Sequence, residues 1–94
     1  MTTGKILEDR KKDYGSFSEL ATMERAMKKA IAHKVPMIEE DYKVTALGMI
    51  IHKIARIVNG NSSKIDTWQD IAGYAELVVN ELKKVENVSN TKAY

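Results

Sequence analysis

Cysteine is absent from this chain. Disulfides, thiolate-bound zinc and a cysteine nucleophile are thereby excluded, and the lack of covalent staples fits a reducing cytoplasm. Neither sign of charge dominates: 15 Lys+Arg against 13 Asp+Glu give a net charge of +2. That balance argues against a nucleic-acid or membrane-surface partner. Long apolar runs are missing too. The longest, Ala46 to Ile51, is far short of the roughly 20 residues that cross a bilayer. Residues 1–15 are charged, unlike a signal peptide, so the expected location is the cytoplasm. No Gly-x-x-x-x-Gly-Lys-Ser/Thr loop, no Gly-x-Gly-x-x-Gly and no Ser/His/acid set occurs, so no complete catalytic motif is present. Strand alternation and internal repeats are also lacking.

What is present is helical periodicity. Ninety-four residues, 44% hydrophobic and 30% charged, make one globular domain over 1–94. A chain of this size buries only about 60–65% of its unfolded surface. A short N-terminal helix is predicted over residues 4–13, stopped at Tyr14-Gly15, where glycine suits a left-handed cap. Ser16-Phe17-Ser18-Glu19 reads as a capping box opening a second helix that runs to about His33. The single proline, Pro36, ends it. A third helix is predicted from about Ile38 to Asn59, with Val44, Leu47, Ile51, Ile54 and Val58 at spacings of 3 and 4. Asp66 is the expected N-cap of a fourth helix reaching about Val85, with Trp68, Ile71, Ala75, Val78, Leu82 and Val85 at the same spacings. Residues 86–94 read as a frayed C-terminal tail. The expected fold is all-α, a compact helical bundle of three main helices plus the short N-terminal one. The third helix is too apolar for a small monomer to cover, so a homo-oligomer built through the third and fourth helices is expected.

A few polar groups on these apolar helices ask for an explanation. Lys53 and Arg56, i and i+3, share a face with His52. Arg56 offers a planar fork suited to phosphate or carboxylate. Asp66 and Asp70 are i, i+4 on one face of the fourth helix. Asp70 either pairs with Lys53 or Arg56 or contacts a metal or substrate. Gly48 and Gly73 lie inside helices, each at a cost of about 1 kcal/mol relative to alanine. Close helix approach or room for a ligand beside Asp70 and Arg56 would offset that. Tyr14 and Trp68 are packing anchors or stacking surfaces for a base. No second histidine lies at ligand spacing from His52, and Glu39-Glu40-Asp41 suits the first turn of a helix, so no metal site is assigned.

The segments Tyr14-Gly15-Ser16-Phe17, Ala46 to Ile50, Lys53 to Ile57, Gly60 and Asp66 to Ala75 resemble a family of small phage and prophage proteins of unknown function. The resemblance spans about residues 10–82 and implies a phage origin, hence the host cytoplasm, and an all-α fold. More remotely, the helical layout is similar to the MazG-like nucleoside triphosphate pyrophosphohydrolases, which hold magnesium with Glu-x-x-Glu and Glu-x-x-Asp helices. Asp70 matches the last acid of that pattern. Thr67 stands in place of its glutamate, and the third helix carries Lys53 and Arg56 where acids are expected. The expected function is a phage accessory protein binding a nucleotide or other phosphorylated small molecule. Lys53 and Arg56 would meet phosphate, Asp70 with Asp66 would orient them or hold magnesium, and Tyr14 or Trp68 would stack a base. A module binding a host protein and a MazG-like hydrolase are the alternatives.

Overall fold

The spacing of apolar side chains at 3 and 4 does produce helices. The computed structural model describes residues 14–93, with side chains as far as Glu86. Three helices dominate: α1 over Phe17–Ile31, α2 over Asp41–Asn59 and α3 over Ile65–Ala93, with a 3-10 turn at Val35–Met37 between the first two. No strand occurs among the described residues. The expected N-terminal helix lies outside them. None of these helices is long and apolar enough to cross a membrane.

The helix ends depart from the expected chemistry. Ser16 is the N-cap of α1, but its side chain makes no capping bond. Its carbonyl instead accepts the Leu20 amide, and also the Asn59 side chain. Asp66 is not an N-cap. Helix α3 starts at Ile65, which puts Asp66 within the first turn, where its charge complements the helix dipole. The preceding loop is tightened by Asn61, whose side chain accepts the Ser63 amide at 3.0 Å. Helix α2 begins at Asp41 rather than near Ile38, because Val35–Met37 closes a separate tight turn around Pro36. Helix α3 continues to Ala93, past the expected end near Val85.

The middle helix holds the arrangement together. α2 packs against both α1 and α3, while those two scarcely meet. Two small residues allow the close approaches. Ala55 is fully buried, on the same face as His52 and Asn59, which reach α1. Ala46 is buried beside Ile50, Ala75 and Val78 between α2 and α3. The two glycines do not serve this purpose. A Cβ on Gly48 would meet only the tip of Lys28 at 4.0 Å, and one on Gly73 would meet nothing within 4 Å.

The apolar seam of α2 is the largest departure from expectation. Leu47 is 39% exposed and Val58 69%, while burial falls on Ala46, Ala55 and Ile57. Each neighbour takes one flank of α2, and on the 3-and-4 ridge Leu47, Ile54 and Val58 stay exposed while Val44 and Ile51 are half-buried. The same split occurs on α3. Thr67 is buried and Ile71, Tyr74 and Val78 are half-buried, whereas Trp68, Ala75, Leu82 and Val85 are exposed. The protein measures 60 × 30 × 22 Å, with a radius of gyration of 17.2 Å. A compact domain of this length has a radius of about 12 Å.

Candidate functional site

Tyr14, Lys53, Arg56 and Asp70 are brought together where the Tyr14 turn meets the C-terminal half of α2 and the first turns of α3. The turn is fixed first. Gly15 adopts φ +74°, the left-handed region, and a Cβ there would overlap the Asn59 carbonyl oxygen. Glycine is therefore required twice over, by conformation and by contact. The Asn59 side-chain amide donates to the carbonyl oxygens of Tyr14 and Ser16, each at 2.8 Å. This one amide pins the start of α1 to the end of α2.

Tyr14 then lies under two cations. The Arg56 guanidinium carbon is 4.2 Å from the ring centroid and the Lys64 ammonium 4.8 Å. Such contacts contribute roughly 0.5–1 kcal/mol each at exposed sites. One turn earlier on α2, the Lys53 ammonium donates to an Asp70 carboxylate oxygen at 2.9 Å. The lysine side chain is 12% exposed and the aspartate 49%, so the charge pair straddles the edge of the packed region. Asp70 thus pairs within the chain, with Lys53 and not with Arg56.

Trp68 stands apart from this group. Two residues before Asp70, it projects from the other side of α3, since two helical positions turn the chain by about 200°. Its indole N–H donates to the Ser62 carbonyl at 2.8 Å, and the ring remains 54% exposed. Asp66, one turn before Asp70, is exposed on the near side. Gly73, three residues after Asp70, leaves the adjacent surface of α3 bare. Thr67, in the place of a MazG-type glutamate, is buried at 3% exposure.

A second polar cluster links α1 and α2. Glu24 accepts a hydrogen bond from Lys28 at 2.8 Å and another from the His52 ring nitrogen Nδ1. Because an ionised carboxylate only accepts, this assigns the proton to Nδ1. The Lys28 hydrogen bond, reinforced by His52, holds the Glu24 carboxyl below its ordinary value of 4.5. Among the described residues, no group of three or more His, Cys, Asp or Glu is placed to hold a metal ion.

Sequence reasoning overlooked Asn59, Lys64 and the Glu24–His52 pair. Asn59 carried a usable signal: an amide at the last turn of an apolar helix, directly before Gly60. The Glu24–His52 pair had none, since 28 residues separate its members.

A family model, DUF6378, a domain of unknown function, matches residues 2–82. The chain belongs to the DUF6378 family. No curated protein and no solved structure matches it. The matched span of this DUF6378 chain takes in the Tyr14 turn, Lys53, Arg56 and Asp70, and stops at Leu82, short of the last turns of α3.

Proposed function

We propose that this chain is a phage accessory protein that binds a nucleotide or other phosphorylated small molecule, sequestering it or processing it slowly. The observation that carries the reading is the pair of cations, Arg56 and Lys64, over the Tyr14 ring, with the Lys53–Asp70 pair one helical turn away on α2. Arg56 presents a planar donor fork that matches phosphate. Asp70 holds the Lys53 ammonium in place, as an orienting group for an anion site would. Asp66, at the same helix face, is the group that would accept a magnesium-bound or ribose hydroxyl contact. A base would stack on Tyr14 by displacing Arg56 or Lys64 from its ring, and Trp68 lies on the wrong side of α3 for that task. The resemblance to small phage proteins supports the phage origin and the host cytoplasm as its place of action.

Thermal denaturation of the full chain with inorganic phosphate, nucleoside monophosphates and nucleoside triphosphates, each with and without magnesium, tests the reading. A true ligand at a hundredfold excess over its Kd stabilises by about 2.7 kcal/mol. Arg56→Lys keeps the charge, loses the fork, and should weaken that effect. A midpoint unmoved by every phosphate compound sinks the proposal.

A second reading, a module that engages a host protein, is supported by the exposed Phe17, Met37 and Leu77. The MazG-like hydrolase reading draws no support from a single chain, given the absence of an acidic cluster among the described residues. Pyrophosphate release from a triphosphate would revive it. The chain is further proposed to act as a homo-oligomer.

A further inference from the structure

Helix α3 carries a second apolar stripe that is exposed among the described residues. Ile65, Trp68, Ala72, Ala75, Val79 and Leu82 follow one another at spacings of 3, 4, 3, 4 and 3, and every one of them is exposed. That is the a/d pattern of a helix that packs along its length against another helix. The face toward α2 is made by Thr67, Ile71, Tyr74 and Val78, and it meets the stripe at Ala75, which lines the groove beside α2 and is still exposed. We propose that the Ile65–Leu82 stripe of α3 is the contact between two copies of this chain, packed antiparallel about a two-fold axis that passes between Ala72 and Ala75.

Four observations select a second copy. The stripe is self-complementary in the antiparallel register: Ile65 of one protomer faces Leu82 of the other, Trp68 faces Val79, and Ala72 faces Ala75. Bulky pairs thus close the two ends, and alanines let the helices approach at the centre, as an isologous interface requires. The flanking Gln69, Glu76 and Lys83 bring no like charges side by side in this register, because Glu76 falls opposite Gln69. Trp68 is built as an anchor. Its only polar atom is already bonded to Ser62 within the chain, so the ring offers hydrocarbon alone to a partner. Finally, the stripe is long. From Ile65 to Leu82 it runs about 26 Å along the helix and presents six exposed apolar side chains. Leu47, on the open ridge of α2, lines the same groove as Ala75, and the paired helices would shelter it.

This inference does not rest on the anion site, and its readout is mass and cross-linking rather than ligand binding. Sedimentation equilibrium of the full chain should give twice the 10.6 kDa chain mass at micromolar concentration. Trp68→Glu should weaken association roughly thirtyfold or more, with helicity checked by circular dichroism. The cysteine-free sequence supplies a second test that does not depend on that variant folding. Ile65→Cys chains mixed with Leu82→Cys chains should form an oxidised cross-linked dimer, and neither variant alone should do so. The two positions lie about 26 Å apart on one helix, and a disulfide needs Cα atoms within roughly 7 Å. A monomer at all concentrations overturns the proposal. So does self-cross-linking of Ile65→Cys alone, which would mean parallel helices, and so does a dimer that the mixed cysteines fail to trap.

Discussion

Asn59 makes two hydrogen bonds with one nitrogen, and its chemistry is easy to probe. Alanine would leave the Tyr14 and Ser16 carbonyls without this donor, at a cost of about 1–2 kcal/mol. A carboxylate would be worse, since Asn59→Asp sets an anionic oxygen against two carbonyl oxygens. Urea denaturation should therefore rank the wild type above Asn59→Ala, and Asn59→Ala above Asn59→Asp. The reverse order would mean the amide does not hold the turn. Glu24 supplies a pH-dependent term. Its folded carboxyl is depressed by Lys28 and His52, so the ionised form is favoured in the fold. The contribution is fully present above the ordinary value of 4.5 and is lost as pH falls through the lower folded value. With Lys28 about half exposed, solvent screening keeps it to roughly 0.5 kcal/mol. Glu24→Gln should thus be less stable than wild type at pH 7, and the two should converge in acid. Equal stability at pH 7 would show that the cluster adds nothing. At this scale the sequence marked Gly15 and the polar set on α2 and α3, because unusual residue types stand out against an apolar helix. It could not choose among the acids for Lys53. Asp66, Asp70 and Glu76 all lie on α3, and only the relative rotation of two helices selects Asp70.

Among the elements, helix existence followed from periodicity, since a 3.6-residue repeat of apolar side chains has one regular solution. The caps were less legible. Ser16 occupies an N-cap, yet a tertiary partner, Asn59, bonds its carbonyl while the side chain stays uncapped. Glycine offers the test at this scale. Gly73 sits in mid-helix, and a Cβ added there would have nothing within 4 Å. Gly73→Ala should therefore raise the stability of the unliganded protein by about 1 kcal/mol through helix propensity. The same variant should weaken phosphate-ligand binding if the bare surface beside Asp70 serves the ligand. A destabilised Gly73→Ala would instead point to a packing contact there.

For the whole molecule, the thin core governs behaviour. Among the described residues, only Leu20, Ala46, Ala55 and Ile57 are buried hydrophobics, and no large side chain is fully enclosed. In the proposed dimer, covering the open face would supply much of the stability that this thin core lacks. The thermal midpoint should consequently rise with protein concentration, as mass action requires when association and folding are linked. A midpoint independent of concentration would mean that the three helices are self-sufficient. The sequence determined the main helices, the lack of any disulfide and which polar residues stand out on the apolar helices, because those depend on local spacing and residue type. Tertiary structure decided which apolar stripe is buried inside the chain and which stays open. Periodicity marks a face for burial without naming its partner, and α2, flanked on two sides, leaves Leu47, Ile54 and Val58 of its most regular ridge exposed.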